Sequence, residues 1–200
     1  FVGKNKKPIL ITGTHGKTTT TSLISWILYS ANLDPAFFVG GVLKNFDSNY
    51  RLGGGEYIVI EGDEYDTAFF DKGPKFMHYA PHVAVVTGIE FDHADIYQDL
   101  EQIKQAFRKF FSDIPLKSTL IAYDKDPNVR KLVQDLQCRV IPYGREKASI
   151  WQLKNVSLCL PVTSFDVWKN GRIFASLKTH LPGEHNLLNL LAAIAVSDQL

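Results

Sequence analysis

The stretch Pro8-Ile9-Leu10-Ile11-Thr12-Gly13-Thr14-His15-Gly16-Lys17-Thr18 decides how the rest of the chain is read. Its first half is a short apolar run of the kind that forms a strand buried on both faces. Two glycines then turn the chain. Residues 18–30 follow with Leu23, Ile24, Ile27 and Leu28 at helical spacing. Strand, glycine-rich turn, Lys-Thr, helix is the order that a phosphate-binding loop requires. Glycines let backbone N–H groups approach phosphate oxygens, and the helix turns its positive end towards the same oxygens. In that arrangement Lys17 reaches the β- and γ-phosphates and the Thr18 hydroxyl serves Mg²⁺. One position departs from the full pattern, because Ile11 stands where its first glycine would be. The competing reading is a glycine turn that merely caps a helix, with Lys17 a solvated surface cation.

Working outward, Asn32-Leu33-Asp34-Pro35 stops the helix, and Gly53-Gly54-Gly55 is a loop. Residues 57–60 and 82–87 read as two more buried strands, the first ending at Glu61. Leu100, Ile103, Phe107 and Phe110 keep a helical period. A strand is expected at 119–123, a helix at 127–136 and a strand at 139–143. Residues 164–168 and 172–177 flank Asn170-Gly171, a tight-turn signal for a hairpin. Pro182-Gly183-Glu184 precedes a last helix expected to run to the C-terminus. Strands alternating with helices predict an α/β fold: a mostly parallel sheet flanked by helices, with a small antiparallel addition near the C-terminus.

Composition narrows the function classes. The chain has 200 residues, 45% of them hydrophobic, enough for one domain with a substantial core. Lys and Arg number 22 against 21 acidic residues, which argues against a general nucleic-acid surface. Cys138 and Cys159 have no metal-ligand or redox spacing, so a reducing cytoplasm is expected. No apolar run is long enough to span a membrane. The chain starts at Phe1 and stops inside an apolar helical pattern at Leu200, as expected of a piece of a longer protein.

Three polar clusters stand out. Glu61 ends an apolar strand, and in open parallel sheets ligands bind outside such ends, so its carboxylate is a candidate Mg²⁺ ligand. Asp63, Glu64 and Asp66 follow it and read as an acidic surface turn. Asp92-His93-Ala94-Asp95 follows the third strand, where a histidine could ligate a second metal or bind phosphate. His185-Asn186 opens the last helix and, on its own, reads as a helix N-cap.

Taken together, these motifs resemble those of the Mur ligase family of ATP-dependent amide-bond synthetases. Gly13 to Thr20 is similar to the family's phosphate loop, which also lacks the first glycine. Glu61-Gly62-Asp63-Glu64, Asp92-His93-Ala94-Asp95 and Gly183-Glu184-His185-Asn186-Leu187-Leu188-Asn189 resemble three further family motifs, in order along the chain. His15 is the form found in the branch that acts on UDP-N-acetylmuramate. The stretch Asp63-Glu64-Tyr65-Asp66-Thr67-Ala68-Phe69-Phe70-Asp71-Lys72, with Lys75-Phe76 and His78-Tyr79, is similar to the branch member that adds a tripeptide during peptidoglycan recycling.

The resemblance covers essentially the whole chain but only the central domain of a three-domain family. It implies ATP and Mg²⁺ as cofactors, and UDP-N-acetylmuramate and a peptide or amino-acid acceptor as partners. It implies nucleotide contacts from Gly13, Thr14, His15, Gly16, Lys17, Thr18 and Thr19, with His185 and Asn186 at the adenine. It implies metal contacts from Thr18, Glu61 and His93, and a catalytic set of Lys17, Glu61 and His93. The alternatives are the L-alanine-adding ligase of the same branch and a non-catalytic nucleotide-binding module. Gly88 stands where the family usually has Asn. Phe107 aligns with a lysine that other branches carbamoylate, so that modification is not expected.

Overall fold

The computed structural model describes residues 5–63, 66–68, 71–91, 97–159 and 161–200. β1 (Lys7–Thr12) leads through the glycine turn into α1 (Lys17–Ser30). After Lys17 the helix runs through four consecutive threonines, poor helix formers because β-branching costs rotamer freedom. Part of its polar surface is satisfied within the helix, although the buried Thr20 hydroxyl has no hydrogen-bond partner among the described residues. The hydroxyls of Thr21, Ser22 and Ser25 each donate to the carbonyl four residues earlier, at 2.8, 2.7 and 2.8 Å. Ile24 and Leu28 then carry the apolar contact.

β2 (Ala36–Leu43) and β3 (Ser48–Arg51) form an antiparallel pair, followed by β4 (Tyr57–Glu61). A small separate ladder joins β5 (Asp66–Ala68) to β6 (Asp71–Pro74). A single turn of 3₁₀ helix at Lys75–His78 precedes β7 (Val83–Val86). α2 (Leu100–Ser112), β8 (Thr119–Tyr123), α3 (Pro127–Val133) and β9 (Arg139–Gly144) complete the alternating part. β10 (Trp151–Cys159), β11 (Val162–Lys169) and β12 (Arg172–Thr179) follow, then α4 (Glu184–Ser197).

Among the described residues the main sheet has ten strands in the order β12-β11-β10-β9-β8-β7-β1-β4-β2-β3. Every pair from β10 to β2 is parallel. This is the expected mostly parallel α/β sheet with helices and a C-terminal antiparallel part. The period of two is visible in the core. Ile9, Ile11, Tyr57, Val59, Val83, Val85 and Ile121 face one apolar cluster with α1 and α4. Leu10, Ile58, Ile60, Ala84, Val86 and Leu120 face the other, with α2. Both faces are covered, which is why the central strands read as continuous apolar runs. Each fully buried Leu, Ile, Val or Phe contributes about 1.5–3 kcal/mol.

The structure adds to the sequence reading in four places. β2, β3 and β10 are strands that the apolar pattern did not mark. The late hairpin is no separate appendage, since β10 pairs in parallel with β9 at Trp151 and Gln152 and carries β11 and β12 into the main sheet. Asn170 and Gly171 both take positive φ, 50° and 74°, as the tight turn demands. The third and fourth helices stop at Val133 and Ser197, short of the expected ends. None of the described helices is long and apolar enough to cross a membrane.

Asp124, just after β8, is buried, with its Oδ2 accepting from the Ser149 hydroxyl. A Cβ at Gly144 would collide with Oδ1, so that glycine makes room for the carboxylate. Burial pushes the Asp124 carboxyl above its ordinary value. The folded state therefore favours the protonated form: its contribution is present below the ordinary Asp range and is lost as pH rises through the raised value. Asp124→Asn keeps an acceptor for Ser149 without a buried charge. It should raise Tm by roughly 2–4 °C at pH 7.5, and the gain should shrink towards pH 4. Thermal melts at both pH values check this; an equal gain at both would contradict it.

Candidate nucleotide site

The parallel register lines up the carboxyl ends of the central strands. Ile11 lies opposite Glu61, Thr12 opposite Val86, and Val86 opposite Ala122. The residues that follow, Gly13 to Gly16, Thr87 to Glu90, and Tyr123, therefore emerge along one edge, the place where open α/β sheets bind ligands.

Neighbouring residues crowd the glycine turn from two sides. Gly13 has φ 116°, and a Cβ there would strike the Thr87 hydroxyl and lie 2.8 Å from Gly88 O. Gly16 has φ 83°, and a Cβ there would strike the side chain of Asn189 on α4. Between them Thr14 is tied to the strand end beside it. Its N–H donates to Gly88 O at 2.9 Å, and its Oγ1 accepts from Glu90 N–H at 2.9 Å. The Thr87 hydroxyl donates to His15 O at 2.5 Å.

Lys17 is only 8% exposed, and its ammonium donates to Gly13 O at 2.8 Å and Thr14 O at 3.3 Å. It is not a solvated surface cation; it folds back over the loop. The N-cap of α1 is Gly16, which caps nothing with a side chain, and the first turn carries no acidic residue. The positive helix end and its first-turn N–H groups are thus left for an anion.

The Thr18 hydroxyl donates to Glu61 Oε1 at 2.8 Å. Glu61 Oε2 accepts from Gly40 N–H, on β2, at 2.7 Å. Two of the three sequence-predicted metal ligands are therefore neighbours. Hydroxyl and carboxylate oxygens suit Mg²⁺, a hard ion that takes one or two protein ligands beside phosphate oxygens and water. Among the described residues no group of three or more His, Cys, Asp or Glu side chains is placed to hold a metal. Asp92, His93 and Asp95 lie outside the described residues. Asp63 is engaged elsewhere, paired with Lys75 at 3.7 Å.

Beside the loop lies a cleft of about 400 Å³ lined by His15, Gly16, Thr87, Glu90, Tyr123, Tyr143, His185, Leu188 and Asn189. His185 is not a cap. Gly183 holds that position at φ 84°, packed under the imidazole ring, and α4 already begins at Glu184. The Asn186 amide donates to Pro182 O at 2.7 Å and is not among the cleft's lining residues. The sequence reading missed Tyr123, Tyr143, Thr87 and Glu90, and it assigned no role to Asn189. Asn189 sits one helical turn after His185 and shares its face, a spacing that could have revealed it. Tyr123 ends a strand as Glu61 does. The two tyrosine rings stand 5.5 Å apart, and burial pushes both phenols up, so both stay neutral. A larger cavity, about 620 Å³, lies between α3 and β9 and shares only Tyr123 with this cleft.

Comparison with known proteins agrees with this geometry. The family model of the Mur ligase middle domain matches residues 11–197. The UDP-N-acetylmuramate–L-alanine ligase of Clostridium tetani is 41% identical over 96% of this chain and 41% of its own length. The crystal structure of the UDP-N-acetylmuramate:L-alanyl-γ-D-glutamyl-meso-diaminopimelate ligase of Neisseria meningitidis is 35% identical. It has a TM-score of 0.88 over 98% of this chain and 62% of that one. The UDP-N-acetylmuramate–alanine ligase of Thermotoga maritima is 28% identical with a TM-score of 0.80, over 98% of this chain and 42% of that one. The chain thus spans about 41% of the length of the Clostridium tetani relative.

The crowding at Gly16 yields a direct check. Gly16→Ala demands a left-handed backbone at alanine and a collision with Asn189, so Mg-ATP affinity should fall about tenfold or more. Adding Asn189→Ala removes the collision but not the backbone strain and should recover part of the loss. Calorimetric titration measures both; undiminished binding by Gly16→Ala would contradict the loop geometry.

Proposed function

The chain belongs to the Mur ligase family, and from that premise we propose that it is the central ATP-binding domain of a peptidoglycan-recycling ligase. The reaction proposed joins the lactyl carboxylate of UDP-N-acetylmuramate to the amino group of L-alanyl-γ-D-glutamyl-meso-diaminopimelate. The observation that carries the reading is the meeting of buried Lys17, the uncapped end of α1 and the Thr18–Glu61 pair at one strand edge. The UDP-sugar and acceptor sites then belong mainly to the rest of the longer protein.

A carboxylate resists attack by an amine because oxide is a poor leaving group. Transfer of the γ-phosphoryl group of ATP makes it an acyl phosphate and leaves ADP. The amine adds to the carbonyl, loses a proton, and the tetrahedral intermediate collapses with release of phosphate. This chain's share is positioning and charge neutralisation. Lys17, already over the loop, meets the β- and γ-phosphates. First-turn N–H groups of α1 bind their oxygens. Thr18 and Glu61 would hold Mg²⁺, which supplies further charge neutralisation at the phosphates. His93 is proposed to help hold a second ion. His185 lines the cleft proposed for adenine. A reaction driven by ATP suits a cytoplasmic location.

Two observations support the tripeptide as acceptor: the stretch from Asp63 to Tyr79 and the likeness in fold to the Neisseria meningitidis ligase. The name of the Clostridium tetani relative favours L-alanine as a second reading. ADP release by the full-length protein, with UDP-N-acetylmuramate and either acceptor, separates them. The tripeptide should be preferred at least tenfold in kcat/KM, about 1.4 kcal/mol of discrimination; preference for free L-alanine transfers the assignment. Lys17→Ala should lower kcat by roughly a hundredfold or more, and near-normal turnover would remove the loop from the mechanism.

A further inference from the structure

The segment that follows β7 is anchored from a direction that the motifs do not mark. Ile89 is fully buried, and α3 grips both polar groups of its backbone. Asp126 Oδ2 accepts from Ile89 N–H at 2.6 Å, and the Asn128 side-chain amide donates to Ile89 O at 2.8 Å. Gly88 and Glu90, on either side of Ile89, are the residues that hold Thr14. Gly88 O accepts from Thr14 N–H, and Glu90 N–H donates to Thr14 Oγ1, both at 2.9 Å. Thr14 O in turn accepts from the Lys17 ammonium at 3.3 Å. A continuous line of hydrogen bonds therefore runs from α3 through residues 88–90 into the phosphate loop and to its lysine.

We propose that Asp126 and Asn128 are positioning residues for the phosphate loop, a role that rests on the nucleotide-binding reading above. Neither touches the loop. They fix the backbone against which Thr14 is set, and so fix where the Lys17 ammonium and the first-turn N–H groups of α1 stand. Charge neutralisation of phosphate is sensitive to such placement, since a displacement of about 1 Å can cost on the order of a hundredfold. Asp126 also caps α3, its Oδ1 accepting from Asn128 N–H at 2.7 Å and Val129 N–H at 3.3 Å. Asn128, whose side chain among the described residues bonds to Ile89 O and takes no part in the cap, separates the two roles.

The test uses the full-length protein and two variants. Asp126→Asn keeps one oxygen for the helix cap, where Asn serves as well as Asp, and turns an amide N–H₂ towards Ile89 N–H. Asn128→Ala deletes the bond to Ile89 O and leaves the cap intact. Calorimetry with Mg-ATP, kinetics and thermal melts are read side by side. Both variants should bind Mg-ATP roughly tenfold more weakly and raise KM for ATP, with Tm lowered by no more than about 4 °C. Wild-type affinity in both variants overturns the proposal while leaving the nucleotide reading intact. So does a fall in Tm without a change in affinity or KM, the mark of a helix cap and nothing more. Failure of the wild-type protein itself to bind Mg-ATP overturns the nucleotide reading and this proposal with it.

Discussion

β1 is paired in parallel on both sides, with β4 and with β7, and those two pairings bring the phosphate loop beside Glu61 and Thr87. Ile9 and Ile11 face one apolar cluster and Leu10 the other, and the neighbouring strands keep the same alternation. A slip of one residue would exchange the two faces along a whole strand. It would also move Glu61 away from Thr18 and Thr87 away from Gly13. The polar geometry is thus enforced by apolar packing that has no chemistry of its own. The glycine turn shows the same dependence. Its two left-handed residues are required by Thr87, Gly88 and Asn189 crowding the loop, before any ligand is considered.

Local patterns were legible. The order of strand, turn and helix around residues 8–30, the strand ending at Glu61 and the Asn170-Gly171 hairpin are all written in the periodicity and turn residues of short continuous segments. What escaped was assembled over distance. β2 carries Gly40-Gly41 in its middle, which weakens a strand signal, yet Gly40 N–H is what holds Glu61. β10 is exposed over much of its length and pairs with β9 at only two residues, so it lacks the apolar run of a central strand. Tyr123, Tyr143 and Asn189 come to the cleft from three elements, and no spacing rule links residues so far apart. His185 was read as a cap because a Pro-Gly break usually places one there. Gly183 takes that position instead, which frees the imidazole to line the cleft.

Backbone groups meet both charged side chains of the phosphate and metal positions. Lys17 is buried against two carbonyl oxygens, and Glu61 is met by a peptide N–H and a hydroxyl. The contact between His15 and Glu90, 3.9 Å long with both side chains largely exposed, adds little. Backbone dipoles cannot move away when a ligand arrives, so they cost no reorganisation at the moment of reaction. An arrangement of this kind suits a site whose task is to place a phosphoryl group.

The bond from Gly40 to Glu61 has a consequence for ion choice. Oε2 accepts a peptide N–H and Oε1 a hydroxyl, so each oxygen has a partner in place and a further lone pair to offer. A metal drawn to Oε1 could be met without breaking the bond to Gly40. Calcium favours six to eight oxygens and often takes both from one carboxylate, whereas magnesium accepts six at shorter range and keeps much of its water. A Glu61 steadied by a glycine N–H two strands away from the loop would offer its oxygen at a fixed place, which suits an ion that takes few protein ligands.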